Sequence, residues 1–292
     1  MKQILITGGN GQLGSELRAL QDAYPAFSFK FTDVEDLDIT SPAALAAEMD
    51  TFAPDYVINC AAYTAVDRAE GDMDIATLIN ATAPRYLAEA AQQRGATLIH
   101  ISTDYVFDGT AHRPYTEEVP TSPDSAYGST KLEGERHVLE SCKHCIVIRT
   151  SWLYSAYGNN FVKTMKRLGM ERDELGVIYD QVGTPTYAGD LAKAILDILL
   201  ILESGRVEQA YGIYHYSNEG VCSWYDFAVE IFRRESINCK VKPIETKDYP
   251  TDAKRPHYSV LNKGKIKSTF GLEIPHWAES LQVCLDALKG AR

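Results

Sequence analysis

Ile4-Leu5-Ile6-Thr7-Gly8-Gly9-Asn10-Gly11-Gln12-Leu13-Gly14 is the stretch on which the fold turns. A short apolar run ends in glycines, and Leu13, Leu17 and Leu20 then recur at helical spacing. The segment reads as a strand, a tight turn and a helix, with the pattern G-x-x-G-x-x-G filling the turn. Small residues let the backbone turn sharply, let a pyrophosphate approach and let the helix close onto the sheet. The helix N-terminus supplies free N–H groups and positive partial charge. A glycine triplet alone is a weak signal, because many loops contain one. Asp33 gives it context, lying 19 residues past Gly14 at the end of the strand-like run Phe27 to Thr32. There a carboxylate accepts the ribose hydroxyls of NAD and repels a 2′-phosphate. The other reading of Asp33 is a surface turn residue. No Arg or Lys follows it directly, so NADH is favoured over NADPH.

Working outward, strand-like and helix-like segments alternate. Ser41-Pro42 opens a helix through Met49, Tyr56 to Cys60 reads as a third strand, and a helix lies within 75–93. Thr97 to Ser102 is a fourth strand, a helix runs from about 125 to 140, and Cys145 to Arg149 is a fifth strand. Strands separated by helices of this length pair in parallel through right-handed crossovers. The expected fold is α/β, a Rossmann-type doubly wound parallel sheet with a smaller C-terminal α/β substrate domain. After Thr150 the rhythm changes, with helices near 161–168, 189–202 and 223–234. Gly176-Val177-Ile178-Tyr179 is a candidate strand returning to the sheet. The expected division is therefore 1–150 plus about 175–190 for the dinucleotide, and 151–174 with 191–292 for the substrate, interleaved and with a cleft between.

Composition narrows the function. The 292 residues carry 29 basic and 40 acidic side chains, a net charge of −11 without a Lys/Arg block. Such a surface repels phosphate backbones, which excludes nucleic acid and anionic membranes as expected partners. The start has too short an apolar run for a signal peptide, and Ile195 to Leu202, interrupted by Asp197, is too short to span a bilayer. Six cysteines in this setting read as reduced thiols, so a cytoplasmic location is expected. Cys142-Lys143-His144-Cys145 has no second half at metal spacing, and no metal site is assigned to it.

A second signal is Tyr127-Gly128-Ser129-Thr130-Lys131, where i and i+4 share one helical face. A Y-x-x-x-K is common by chance. What matters is Ser102-Thr103-Asp104 at the end of the fourth strand, since ligands of an open parallel sheet bind at the carboxyl ends of its strands. With Asn59 to Asp67, Ser102 to Phe107, Arg149 to Tyr154, Gly158 to Phe161 and Arg255-Pro256-His257, the sequence resembles the extended short-chain dehydrogenase/reductases. Within them it is most similar to the dTDP-4-dehydrorhamnose reductase family.

The resemblance implies a nicotinamide-dependent reduction of the 4-keto group of a dTDP-4-dehydro-6-deoxy-L-sugar. The residues agree: a ketone that accepts hydride needs a proton, Tyr127 offers a phenol, and Lys131 is expected to lower the Tyr127 pKa. Thr103 completes the catalytic set by hydrogen-bonding the substrate oxygen. Resemblance further implies that Gly8, Asn10, Gly11, Gln12, Leu13 and Gly14 meet the cofactor at the turn, and Asp33, Asp38 and Ile39 at its adenosine end. Ala61, Ala62 and Tyr63 would line its path, with Tyr127 and Lys131 at the nicotinamide ribose. Thr103, Asp104 and Trp152 would touch the sugar nucleotide, although a Trp after a strand is also an ordinary core residue. Lys254, Arg255 and His257 stay open between meeting a diphosphate and facing solvent. Magnesium enters by resemblance only, and the ending Leu288-Lys289-Gly290-Ala291-Arg292 offers no carboxylate side chain for a metal-linked dimer. A monomer or a homodimer is expected.

Two other readings stand beside this one. A sugar-nucleotide 4,6-dehydratase is disfavoured because Tyr105, not Glu, follows Thr103-Asp104, whereas an epimerase stays open. The other is a non-catalytic dinucleotide-binding subunit of the methionine adenosyltransferase type, which loss of Tyr127 or Lys131 would favour; both are present.

Overall fold

Ile4, Leu5 and Ile6 are fully buried, as are Val57, Ile58, Leu98, Ile99 and 146–148, which is what strands covered on both faces require. The computed structural model describes residues 1–207 and 210–290. Its central sheet contains β1 (Lys2–Thr7), β2 (Phe27–Thr32), β3 (Tyr56–Asn59), β4 (Thr97–Thr103), β5 (Cys145–Thr150) and β6 (Gly212–His215). All pair in parallel, in the order β6-β5-β4-β3-β1-β2. The chain leaves β1 for one edge and returns to β3 on its other side, so the switch point lies between β1 and β3.

Alternation along each strand divides the core. Ile4, Ile6, Ile58 and Ile148 pack under α1 (Gln12–Leu20) and under a 16-residue helix at Ala188–Glu203. Leu5, Val57, Leu98 and Val147 face α2 (Pro42–Phe52), α3 (Ala83–Arg94) and α4 (Ala126–Ser141). Ser41 caps α2 by accepting the Ala44 N–H at 3.3 Å, with Pro42 at the first position. Ser125 caps α4 by accepting from Gly128 at 3.1 Å. Each such cap is worth about 1 kcal/mol, and the second fixes where the helix carrying Tyr127 begins.

One expectation is corrected. The segment at 176–179 does form a strand, Glu174–Ile178, but it pairs with Lys240–Ile244 in a separate two-stranded sheet. Glu174 and Gly176 are exposed while Leu175 and Val177 are buried, a one-sided pattern unsuited to a sheet covered on both faces. The sixth place is taken by Gly212–His215 beside β5, reached through the helix at Ala188–Glu203. The sheet layers are thus completed by residues after 187 rather than by 175–190. A second core, including Tyr154, Val162, Phe227, Ile231, Leu281 and Leu285, holds the remainder together. No described helix is long and apolar enough to cross a membrane.

Candidate active site

The loops after β1, β2, β3, β4 and β5 open into one cleft of about 930 Å³. Gly8, Asn10, Gly11, Gln12, Leu13, Asp33, Asp38, Ile39, Ala61 and Ala62 line it, together with Thr103, Asp104, Tyr127, Lys131 and Trp152. Gly14 and Tyr63 do not.

At the glycine turn, Gly8 has φ +66°, and a Cβ there would stand 2.7 Å from the Ala61 nitrogen. Only glycine fits both the left-handed backbone and this approach to the β3 loop. Gly14 serves packing instead: a Cβ would stand 2.5 Å from the Gly8 oxygen, so its absence lets α1 close on the turn. No side chain caps α1 at Gly11, which leaves first-turn N–H groups for an anion. At the adenosine end, Asp33 accepts the Asn10 N–H and the Val34 N–H, each at 2.9 Å. Hydrogen bonds from the Thr40 hydroxyl and N–H hold the Asp38 carboxyl below its ordinary range. An open helix N-terminus, a cradle that a Cβ would fill and a carboxylate at the rim together suit a dinucleotide.

Tyr63, part-buried, is tied to the segment that follows the β3 loop. Its hydroxyl donates to Asp72 at 2.7 Å, and its N–H donates to the Asn80 side chain at 2.9 Å. Asn80 lies in a π-helical turn, Leu78–Thr82, and its amide donates to the Tyr63 carbonyl at 3.1 Å and to Thr130 at 3.3 Å. It therefore ties the β3 loop to α4, and sequence reading missed it. The available signal was a polar residue inside the apolar run Leu78-Ile79-Asn80-Ala81, in a turn of a kind frequent at functional sites.

Thr103 ends β4, and Tyr127 and Lys131 occupy the first turns of α4. The half-buried Tyr127 packs edge-to-face on Tyr105, with ring centres 5.4 Å apart. Burial raises the Tyr127 hydroxyl above its ordinary value, and the Thr103 hydroxyl partly opposes the shift. The expected lowering by Lys131 is not met: desolvation of the phenolate dominates, and Asp104 and Tyr105 push the same way, so Thr103 alone opposes the rise. Lys131 is 2% exposed, and its Nζ donates to the Ile101 carbonyl at 2.6 Å. Burial pushes it down to about 8, against the attraction of Glu135.

Thr103 donates to Asp104 Oδ1 at 3.0 Å, while buried Asp104 Oδ2 has no partner among the described residues. Burial lifts that carboxyl to about 7. Trp152 stacks on Trp224 with ring centres 3.5 Å apart and takes φ +49°, an uncommon backbone for a bulky residue. The groups left open by sequence stand outside this cleft. Arg255 donates to Asp67 at 2.6 Å and to the Tyr105 hydroxyl at 3.3 Å, Lys254 pairs with Asp124, and His257 meets the Asp180 carbonyl at 3.1 Å. Among the described residues no three His, Cys, Asp or Glu side chains gather as a metal centre; Ala291 and Arg292 lie outside those residues.

Residues 1–289 match the RmlD substrate binding domain family. A dTDP-4-dehydrorhamnose reductase of Aggregatibacter actinomycetemcomitans is 43% identical over 289 residues, covering 97% of this chain and 98% of that protein. The chain belongs to the dTDP-4-dehydrorhamnose reductase family. A crystal structure of such a reductase from Clostridium acetobutylicum is 48% identical, with a TM-score of 0.92 over 98% of this chain and 99% of that one. Another, from Bacillus anthracis in complex with NADP, is 40% identical, also with a TM-score of 0.92, over 98% and 100%. Family and fold agree with the α/β reading from sequence, and they favour neither an epimerase nor a regulatory subunit.

Proposed function

We propose that this chain reduces the 4-keto group of dTDP-4-dehydro-6-deoxy-L-mannose, giving dTDP-L-rhamnose, with NADH or NADPH as reductant, NADH being favoured, and Thr103, Tyr127 and Lys131 at the reacting carbonyl. The observation that carries the reading is the convergence of those three side chains in the cleft that begins at the Gly8–Gly14 turn. Bound nicotinamide supplies hydride to the keto carbon. The oxygen then needs a proton and a counter to its developing charge.

Tyr127 gives that proton. Burial disfavours its phenolate, so at neutral pH it is held in the donor form that a reduction requires. Thr103 hydrogen-bonds the same oxygen, and Lys131, still charged below about pH 8, steadies the phenolate once the proton has left. Lys131 also reaches the nicotinamide ribose. Gly8, Asn10, Gly11, Gln12 and Leu13 take the diphosphate end, and Asp33, Asp38 and Ile39 the adenosine end. Ala61 and Ala62 line the path between, and Asp104 and Trp152 hold the sugar nucleotide. The six cysteines are free thiols, which suits a cytoplasmic site of action.

The test is oxidation of NADH by the purified protein, with the keto sugar made in situ by upstream enzymes. One equivalent of NADH consumed per 6-deoxyhexose formed is the expected result. Isomerised sugar without net cofactor consumption would mean an epimerase, and binding of NADH and NADPH with no consumption of either would defeat the catalytic reading.

A further inference from the structure

Beneath the reacting side chains lies a buried ion pair that the steps above do not use. Glu135 follows Lys131 by four residues on α4, so both lie on the face turned to the sheet. Lys131 Nζ is bonded to the Ile101 carbonyl. Glu135 Oε1 accepts from the Ser102 hydroxyl at 2.5 Å and from Arg149 Nε at 2.8 Å, and its Oε2 accepts from Arg149 Nη2 at 2.6 Å. Glu135 and Arg149 are 1% and 2% exposed. Successive turns of the helix carrying Tyr127 are thus fastened to Ile101 and Ser102, the two residues before Thr103. Arg149 is held in turn by His215, 3.5 Å from Nη1, and by the Phe107 ring, 5.2 Å below its guanidinium.

Such a pair is a poor source of stability, since desolvation of both ions offsets their attraction; packed apolar side chains would hold the helix as well. What apolar side chains lack is a negative charge one turn from Lys131. Cys60 from the β3 loop and Glu135 from its own helix bear on Lys131, His100 of β4 feels the Lys131 charge, and Tyr127 stands one turn earlier on the same helix. Burial raises the Cys60 thiol to about 12, lowers His100 well below its ordinary value and keeps Tyr127 protonated. None of these three is charged at neutral pH. Glu135 is the only carboxylate among the described groups that opposes the desolvation of Lys131.

We propose that Glu135 is a positioning residue for the reduction: its carboxylate, held by Ser102 and the Arg149 fork, locks α4 onto β4 and keeps Lys131 an ammonium beside Tyr127. The proposal rests on the Tyr127–Lys131 reading above. Its test is the pH profile of kcat/KM for wild type, Glu135→Gln and the double variant Glu135→Gln/Arg149→Met, with NADH binding followed by fluorescence over the same pH range. Loss of the carboxylate disfavours the charged lysine, so Lys131 sheds its proton at lower pH. The alkaline limb is expected to move about one pH unit or more toward acid in both variants.

A uniform loss of activity with the limb unmoved would assign the pair a structural role and overturn the proposal. So would failure of both variants to fold. A limb that moves in Glu135→Gln but returns in the double variant would trace the effect to an unpaired Arg149, with the same consequence. A wild type that binds NADH without turnover would instead defeat the Tyr127–Lys131 reading, and the NADH-binding limb alone would then decide on Glu135.

Discussion

At Asp33 both carboxylate oxygens are engaged by backbone N–H groups, Asn10 on one and Val34 on the other, each at 2.9 Å. The side chain is therefore held at the cleft rim and does not swing aside when a ribose arrives. A 2′-phosphate would meet a fixed negative charge there, whereas a 2′-hydroxyl would meet an acceptor. Asp33→Asn keeps the shape and removes the charge. Initial rates with both cofactors should show kcat/KM for NADPH rising relative to NADH by about tenfold or more, about 1.4 kcal/mol. An unchanged ratio would mean that discrimination lies elsewhere in the cleft. Trp152 shows a different residue-scale device. Its left-handed backbone is a strained state, of order 1–3 kcal/mol, retained where stacking on Trp224 fixes the indole at the cleft wall.

Among the elements, α1 does more than present its N-terminus. Glu16, 6% exposed, accepts from Ser155 at 2.6 Å and from the Tyr187 hydroxyl at 3.4 Å, and Asn160 donates to Gln12 at 3.0 Å. The helix behind the glycine turn is thereby tied to the segment that carries Trp152. Burial raises the Glu16 carboxyl above its ordinary 4.5, against the hydrogen bonds from Ser155 and Tyr187. The folded chain then holds this proton more tightly than the unfolded chain does. Its stabilising contribution is complete below about pH 4.5 and is lost as pH rises through the raised value. Thermal melts of Glu16→Gln against wild type should show a difference in Tm that shifts in favour of the variant as the pH is raised from 4 to 8. A difference constant across that range would show that Glu16 ionises as it does in the unfolded chain.

For the whole molecule, what could be read in sequence follows from how local each signal is. The Gly8–Gly14 turn, Asp33 and the Tyr127–Lys131 pair were legible because each combines a local pattern with a known place at a strand or helix end. β6 was not: Gly212-Ile213-Tyr214-His215 is four residues long, and its partner β5 lies more than sixty residues earlier in the chain. The run at 176–179 looked equally strand-like, and only its one-sided burial separates it from a sheet strand. The partners of Tyr63 were hidden for a related reason, since Asp72 precedes the short helix Met73–Thr77 and Asn80 sits in the π-helical turn after it, both beyond the reach of the pattern around the β3 loop. The central claim is that Tyr127 is the proton donor in this cleft. The measurement that tests it most directly is turnover of the keto sugar by Tyr127→Phe beside wild type, with NADH affinity measured on both. A loss of kcat by about 10²-fold or more with NADH binding retained is the predicted result. Turnover of Tyr127→Phe within a few-fold of wild type would contradict it.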